Sequence, residues 1–269
     1  MLAEQSLRDG DLRAALSQLQ DAVRSNPAKA DYRVFLFQLL SVLGQWDRAL
    51  NQLNVAGELD AETLAMVQTY REVLQCEALR SDVFSGNRTP LMFGEPESWF
   101  AEVINALALG SKGHILDAQA ARSRAFDNAP VVSGTLDGES FEWISDADSR
   151  IGPFLEAVVN GKYYWLPFHR IQAIRIEEPV DLRDLVWLPA QFTWGNGGEA
   201  VGLIPTRYPG SEVSELSAIR LSRATEWQDL GEGQYAGLGQ RMLVTDRAEY
   251  SLLNIREVLI NCPIERPIR

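Results

Sequence analysis

The chain has 269 residues, 46% of them apolar and 23% charged, which is the make-up of a soluble globular protein with room for two domains. Its net charge is −12, carried by 12 basic against 17 acidic residues in 1–130 and by 13 against 20 beyond. Neither half has the clustered positive charge that nucleic acid or an anionic membrane surface requires, so both are excluded as main partners.

The two cysteines, Cys76 and Cys262, lie far apart and belong to no paired spacing, so neither a disulfide framework nor a zinc site is indicated; both read as buried thiols. The start, MLAEQSLRDGDL, lacks the basic head and apolar run of a signal peptide. The longest uncharged apolar run, 34–46, is too short to cross a bilayer. These features point to the cytoplasm.

In chain order, the first signal is a repeat. Gly10, Ala15, Ala22 and Pro27 stand at offsets 0, 5, 12 and 17, and Gly44, Ala49 and Ala56 reproduce three of them 34 residues later. Leu12, Leu16 and Leu19 correspond in the second copy to Trp46, Leu50 and Leu53. A third copy, Gly113, Ala118, Ala125 and Pro130, keeps all four offsets. A period of 34 is that of the tetratricopeptide helix hairpin. The glycine turns the chain out of the first helix, the small alanines let helices approach, and the proline stops the second. Such hairpins bury their apolar stripes only by stacking, which leaves a groove.

The spacing places helices over 2–9 and 11–25, then a break at Asn26-Pro27. Over 32–43, Leu36, Phe37, Leu40 and Leu43 form a core face, while Asp31, Val34, Gln38 and Ser41 lie on another side. In a stacked repeat that second side lines the groove; as an ordinary helix face it is solvated or partly packed. Residues 61–85 read as one long helix without repeat markers, 85–97 as a loop rich in proline and glycine, and 98–109 with 116–128 as a last hairpin capping the array.

Beyond Pro130 the period changes. Residues 154–159 and 162–168 flank Asn160-Gly161, a type I′ hairpin signal. Further short strands are indicated at 171–177, 186–188, 191–194, 200–204 and 242–245, while 250–259 reads as strand or helix. The chain therefore divides into 1–130, a tetratricopeptide-like helical domain, and 131–269, an α+β domain. The fold class is α+β, with helical hairpins followed by a small, strongly bent, mostly antiparallel β part.

Five runs in this second half carry a resemblance: DADSRIGPFLEAVVNGKYYWLPFHRI, LRDLVWLPA, GLIPTRYPGSE, LSRATEW and GLGQRMLVTD. In order and spacing they resemble the ImpE family, also called TagJ or SciE-type proteins, which are accessory proteins of bacterial type VI secretion systems. The resemblance spans nearly the whole chain and implies the same pairing of a helical and an α+β part. It further implies an adaptor without chemistry of its own. Such an adaptor binds an N-terminal segment of the small sheath subunit, TssB, and associates with the AAA+ ATPase ClpV that recycles the contractile sheath.

Asp31, Val34, Gln38 and Ser41, on the groove side, are the candidate partner-binding residues, together with Arg223 and Trp227 from the family-like motifs. For Arg150, Trp187, Tyr208, Arg223, Trp227 and Arg241 two readings stay open: a partner-binding patch, or core rings and arginine anchors that fix loops. The segment could enter the helical groove or add to a sheet edge.

The residues offer little for catalysis, and no cofactor or metal is expected. His114 and His169 have no second ligand at metal spacing. Asp146 and Asp148 lack the glycine turn and distal glutamate of a calcium loop and read as a solvated loop. The glycines of GEGQYAGLGQR read as turns between short strands, not as a phosphate loop. Two alternatives remain: a helical-repeat scaffold with other clients, and an enzyme with a site between the two parts.

Overall fold

The structure is a computed structural model that describes residues 2–95 and 97–261. Cys262 lies outside the described residues.

The repeat markers do what their spacing requires. Helices α1 (Leu2–Arg8) and α2 (Leu12–Ser25) form one antiparallel hairpin, and α3 (Ala30–Val42) and α4 (Trp46–Leu59) the next. After α5 (Leu64–Phe84), helices α6 (Ser98–Ser111) and α7 (Ile115–Asn128) form the third. Each hairpin turns on its repeat glycine: Gly10, Gly44 and Gly113 have φ of 79°, 65° and 80°, where a side chain would be strained. Of the repeat alanines, Ala15, Ala49, Ala56, Ala118 and Ala125 are buried and Ala22 is half-buried. The start of α2 is set by Asp11, whose carboxylate accepts the Ala14 N–H at 2.9 Å. A 3₁₀ turn, Ala61–Thr63, precedes α5 and begins on Asp60, which accepts the Glu62 N–H at 2.9 Å.

Fourteen strands are described. β1 (Leu91–Met92) falls within the 85–97 segment expected to be loop. β2 (Gly134–Leu136), β3 (Glu139–Phe141) and β4 (Ile144–Asp146) precede the hairpin of β5 (Phe154–Val159) and β6 (Lys162–Pro167). Then come β7 (Ile171–Ile176), β8 (Trp187–Trp194), β9 (Glu199–Pro205) and a short helix α8 (Ser217–Arg220). β10 (Thr225–Gly231), β11 (Gln234–Gly239), β12 (Met242–Thr245), β13 (Glu249–Ser251) and β14 (Glu257–Ile260) complete the chain.

Nine strands make one sheet in the order β1–β6–β5–β9–β8–β7–β14–β2–β3, antiparallel except for β1 on β6. The Asn160-Gly161 turn has the expected pair of positive φ values, 49° and 70°, and sets the register Val159↔Lys162. The α+β class with helical hairpins and a mostly antiparallel sheet holds, though the sheet is not small. Two expected strands are one: β8 runs through Pro189, which pairs with Leu203 on β9 and lies beyond the last β7 partner, Ala190. There the strand has a neighbour on one side only, so the missing N–H costs nothing. Residues 250–259 are neither one strand nor one helix but the end of β13, a 3₁₀ turn and β14.

Strand β5 is buried on both faces. Phe154 and Val158 join the helices in one apolar cluster, while Leu155, Ala157 and Val159 join a second. That second cluster also takes Leu136 and Phe141 from the far end of the sheet, so the sheet curls around it. The first cluster runs without a break from Leu19 and Phe37 of the hairpins to Phe154, Trp165, Trp187 and Tyr208 of the sheet part. The last hairpin is seated on the sheet itself, where Trp99 stacks on Phe154 at 4.6 Å between ring centroids.

Candidate functional site

Residues of α1, α3, the 3₁₀ turn Ala61–Thr63 and the first turn of α5 line one side of the hairpin array. Between them lies an open groove of about 930 Å³. Leu7 from α1, Val34 and Phe35 from α3 and Met66 from α5 contribute apolar surface. The far wall comes from the other half of the chain, residues 179–185 between β7 and β8, with Leu182 and Leu185 turned into the apolar cluster.

This wall is built rather than merely present. Asp184 accepts the N–H groups of Val180 and Asp181 at 2.9 and 2.8 Å, closing a capping box with Asp181 at the start of the 3₁₀ turn Leu182–Leu185. Gln38 of α3 reaches Asp181 at 3.4 Å, and the Arg183 guanidinium lies over the Tyr70 ring of α5 at 4.9 Å. Asp181 also pairs with Arg183. The rim is acidic: Glu4, Asp31, Asp60, Glu62 and Asp181 line the groove, with Arg8 as the cation among its lining residues.

Of the candidate binding residues, Asp31, Val34 and Gln38 therefore meet in the groove. Ser41 does not: it is fully buried, its hydroxyl bonds to the Phe37 carbonyl at 2.9 Å, and its own carbonyl accepts from Arg207 at 3.3 Å. The second half of α3 is buried all round, from Leu36 to Val42, because the sheet part covers the face that a free-standing repeat would expose. Arg223 donates to the carbonyls of Leu7 and Arg8 at 2.9 and 3.1 Å, closing the C-terminal end of α1. Trp227 sits apart on the β10–β11 hairpin, 38% exposed, with its ring 5.7 Å from that of Tyr208.

The remaining family-like residues are internal except for the half-buried Arg150. Trp187, Tyr208 and Arg241 are fully buried. Arg241 donates to Asp146 and Glu156 and, at 2.9 Å, to the Pro205 carbonyl. Glu156 also receives Tyr163 and, at 2.7 and 3.0 Å, Arg80 from α5. Burial by itself would raise the Glu156 pKa, but Arg80 and Arg241 outweigh it and hold the carboxyl down at about 2. Tyr208 donates to Asp146 at 2.9 Å. The expected solvated loop at Asp146 and Asp148 is thus a buried ionic cluster, Asp148 being held by Arg150 at 2.5 Å and accepting the Gly237 N–H at 3.0 Å. Asp146 is paired with the fully buried Arg241 and Asp148 with the half-buried Arg150, so neither carboxylate is left inside without a cationic partner. No spacing in the sequence betrays this, since Arg80, Asp146, Glu156 and Arg241 come from α5, β4, β5 and the link between β11 and β12.

His114 is an exposed residue at the start of α7 with no capping bond from its side chain. His169 lies 2.9 Å from Glu97, but that carboxylate also accepts Arg170 at 2.9 Å and Trp99 at 2.8 Å. Burial pushes the Cys76 thiol up to about 11, and its Sγ lies 3.5 Å from the Gly161 carbonyl. Among the described residues, no group of three or more His, Cys, Asp or Glu side chains is arranged to hold a metal. No helix among them is long and apolar enough to cross a membrane.

Residues 138–259 match the family model described as ImpE protein, and residues 6–71 match a tetratricopeptide repeat model. Over 258 residues the chain is 51% identical to the type VI secretion system accessory component TagJ of Pseudomonas aeruginosa, covering 96% of this chain and 90% of that protein. The crystal structure of protein VPA1032 from Vibrio parahaemolyticus superposes with a TM-score of 0.89 over 98% of this chain and 99% of that one. The two are 23% identical, so this likeness is one of fold.

Proposed function

Because this chain belongs to the ImpE family, whose TagJ member is an accessory component of type VI secretion, we propose that it is a non-enzymatic adaptor of a type VI secretion system. In this reading the protein works in the cytoplasm, captures an N-terminal segment of the sheath subunit TssB, and associates with the ClpV ATPase to tune sheath recycling. Residues 1–130 supply the helical face that receives the segment, and 131–269 supply the wall opposite it. Asp31, Val34 and Gln38 are the contacts at the groove. Trp227 is an exposed aromatic on a separate face, suited to a second contact.

The observation that carries the proposal is the groove itself. It is open, mixed in polarity and walled by ordered side chains, which is the geometry of a surface for a protein segment. Two of the polar residues that could do chemistry are committed elsewhere: Glu156 and Arg241 have fully buried side chains engaged with one another.

The test is calorimetry of the full chain against a peptide of the TssB N-terminus from the same organism. Heat with one-to-one stoichiometry and a dissociation constant on the order of micromolar is the expected result. Silence at high micromolar peptide would overturn the sheath assignment and leave a scaffold with other clients.

A further inference from the structure

Resting on the adaptor reading, we infer that the concave groove selects its segment by charge. It is a receptor for a segment that combines apolar side chains with several arginines or lysines. The floor supplies the apolar half through Leu7, Val34, Phe35 and Met66, backed by Leu182 and Leu185. The rim supplies the anionic half through Glu4, Asp31, Asp60, Glu62 and Asp181, of which Asp31 and Glu62 are the least engaged.

Not all of these carboxylates are neutralised from within. Asp181 is engaged by Arg183 and Gln38, Glu4 has a partner within the chain, and Asp60 is used to start the 3₁₀ turn. Asp31 has Lys29 only at 4.0 Å, with its side chain 81% exposed. Glu62 makes no ion pair among the described residues and is exposed in the same turn. Carboxylates of one sign around an apolar floor give the groove a negative potential, so a cationic segment is drawn in and an anionic one is turned away. Because the wall at 179–185 is already held by its capping box and by Arg183 on Tyr70, binding does not have to order it first.

The experiment uses the full chain and three peptides: the TssB N-terminal peptide, and two designed peptides of about 16 residues with identical apolar positions. One designed peptide carries Lys and Arg at its polar positions and the other Glu. The wild-type protein is expected to bind the sheath peptide and the cationic design and to refuse the anionic one. Raising salt from about 0.05 M to about 0.5 M should weaken both complexes several-fold. The double variant Asp31→Lys, Glu62→Lys should weaken both by tenfold or more, with an unchanged far-UV spectrum and only a small drop in thermal midpoint from placing cations in the first turn of α3 and in the 3₁₀ turn before α5.

If the double variant holds the sheath peptide as tightly as wild type, the groove inference fails while the adaptor reading stands. If the protein takes the cationic design but not the sheath peptide, the adaptor reading fails while the chemistry of the groove stands. Equal binding of the cationic and anionic designs, or binding of none of the three, overturns the inference.

Discussion

Arg241 has no exposed atom, yet it carries a full charge between two buried carboxylates, Asp146 and Glu156. Removing one member of such a cluster leaves the others uncompensated, so Arg241→Ala should cost about 3–5 kcal/mol, read from the shift in urea denaturation. Glu156 gives the same cluster a pH signature. Its folded pKa, about 2, lies below the unfolded value near 4.5. Its contribution is therefore complete above about pH 4.5 and lost as pH falls toward 2, with a ceiling of about 3 kcal/mol. The measurement is the difference between wild type and Glu156→Gln across that window. Wild type should lose stability more steeply, and parallel curves would show that the carboxylate is not held down. Asp146, Arg241 and Tyr208 of this cluster stand out one by one in the sequence, whereas Arg80 and Glu156 do not. Their union does not stand out either, because a salt bridge between residues 85 apart in the chain, such as Arg241 and Glu156, leaves no local spacing.

At the scale of elements, the hairpin turns are the most legible feature, and they can be ranked. Gly44 and Gly113 occupy the same place in two repeats, with φ of 65° and 80°. An added Cβ at Gly113 meets nothing within 4 Å, whereas at Gly44 it falls 2.5 and 2.7 Å from the Glu212 side chain. Gly113→Ala should then cost only the backbone strain, about 1 kcal/mol, and Gly44→Ala clearly more. Thermal midpoints of the two variants would decide it, and equal losses would mean that Glu212 yields freely. Asn160-Gly161 was readable for the same reason, since a positive φ restricts the choice of residue. The turn at Asp137-Gly138, φ 47° and 87°, carried the same signal and would have located β2 and β3. The two-residue strand β1 had none, as its pairing with β6 is set by contacts made after the chain has folded.

The whole molecule behaves as one body because its largest apolar cluster crosses position 130, joining Leu19, Phe37 and Leu74 to Phe154, Trp165 and Trp187. The ionic cluster crosses it as well, through Arg80 of α5 and Glu156 of β5. Denaturation followed by tryptophan fluorescence and by far-UV circular dichroism should therefore give coincident single transitions. A helical signal that melts first would show that the halves are energetically separate. The sequence by itself determined the helical hairpins, their turns and the mostly antiparallel character of the second half. Those depend on residue type at short range, on the 34-residue period, the alternation of apolar side chains and the φ that each turn demands. Only the tertiary structure decided that Asp31, Val34 and Gln38 share a groove while Ser41 is sealed under Arg207. It also decided that a turn from the second half walls that groove, and that two aspartates read as solvated are buried. Each of these follows from packing between segments far apart in the chain, where burial and charge neutralisation are set by neighbours that no local pattern names.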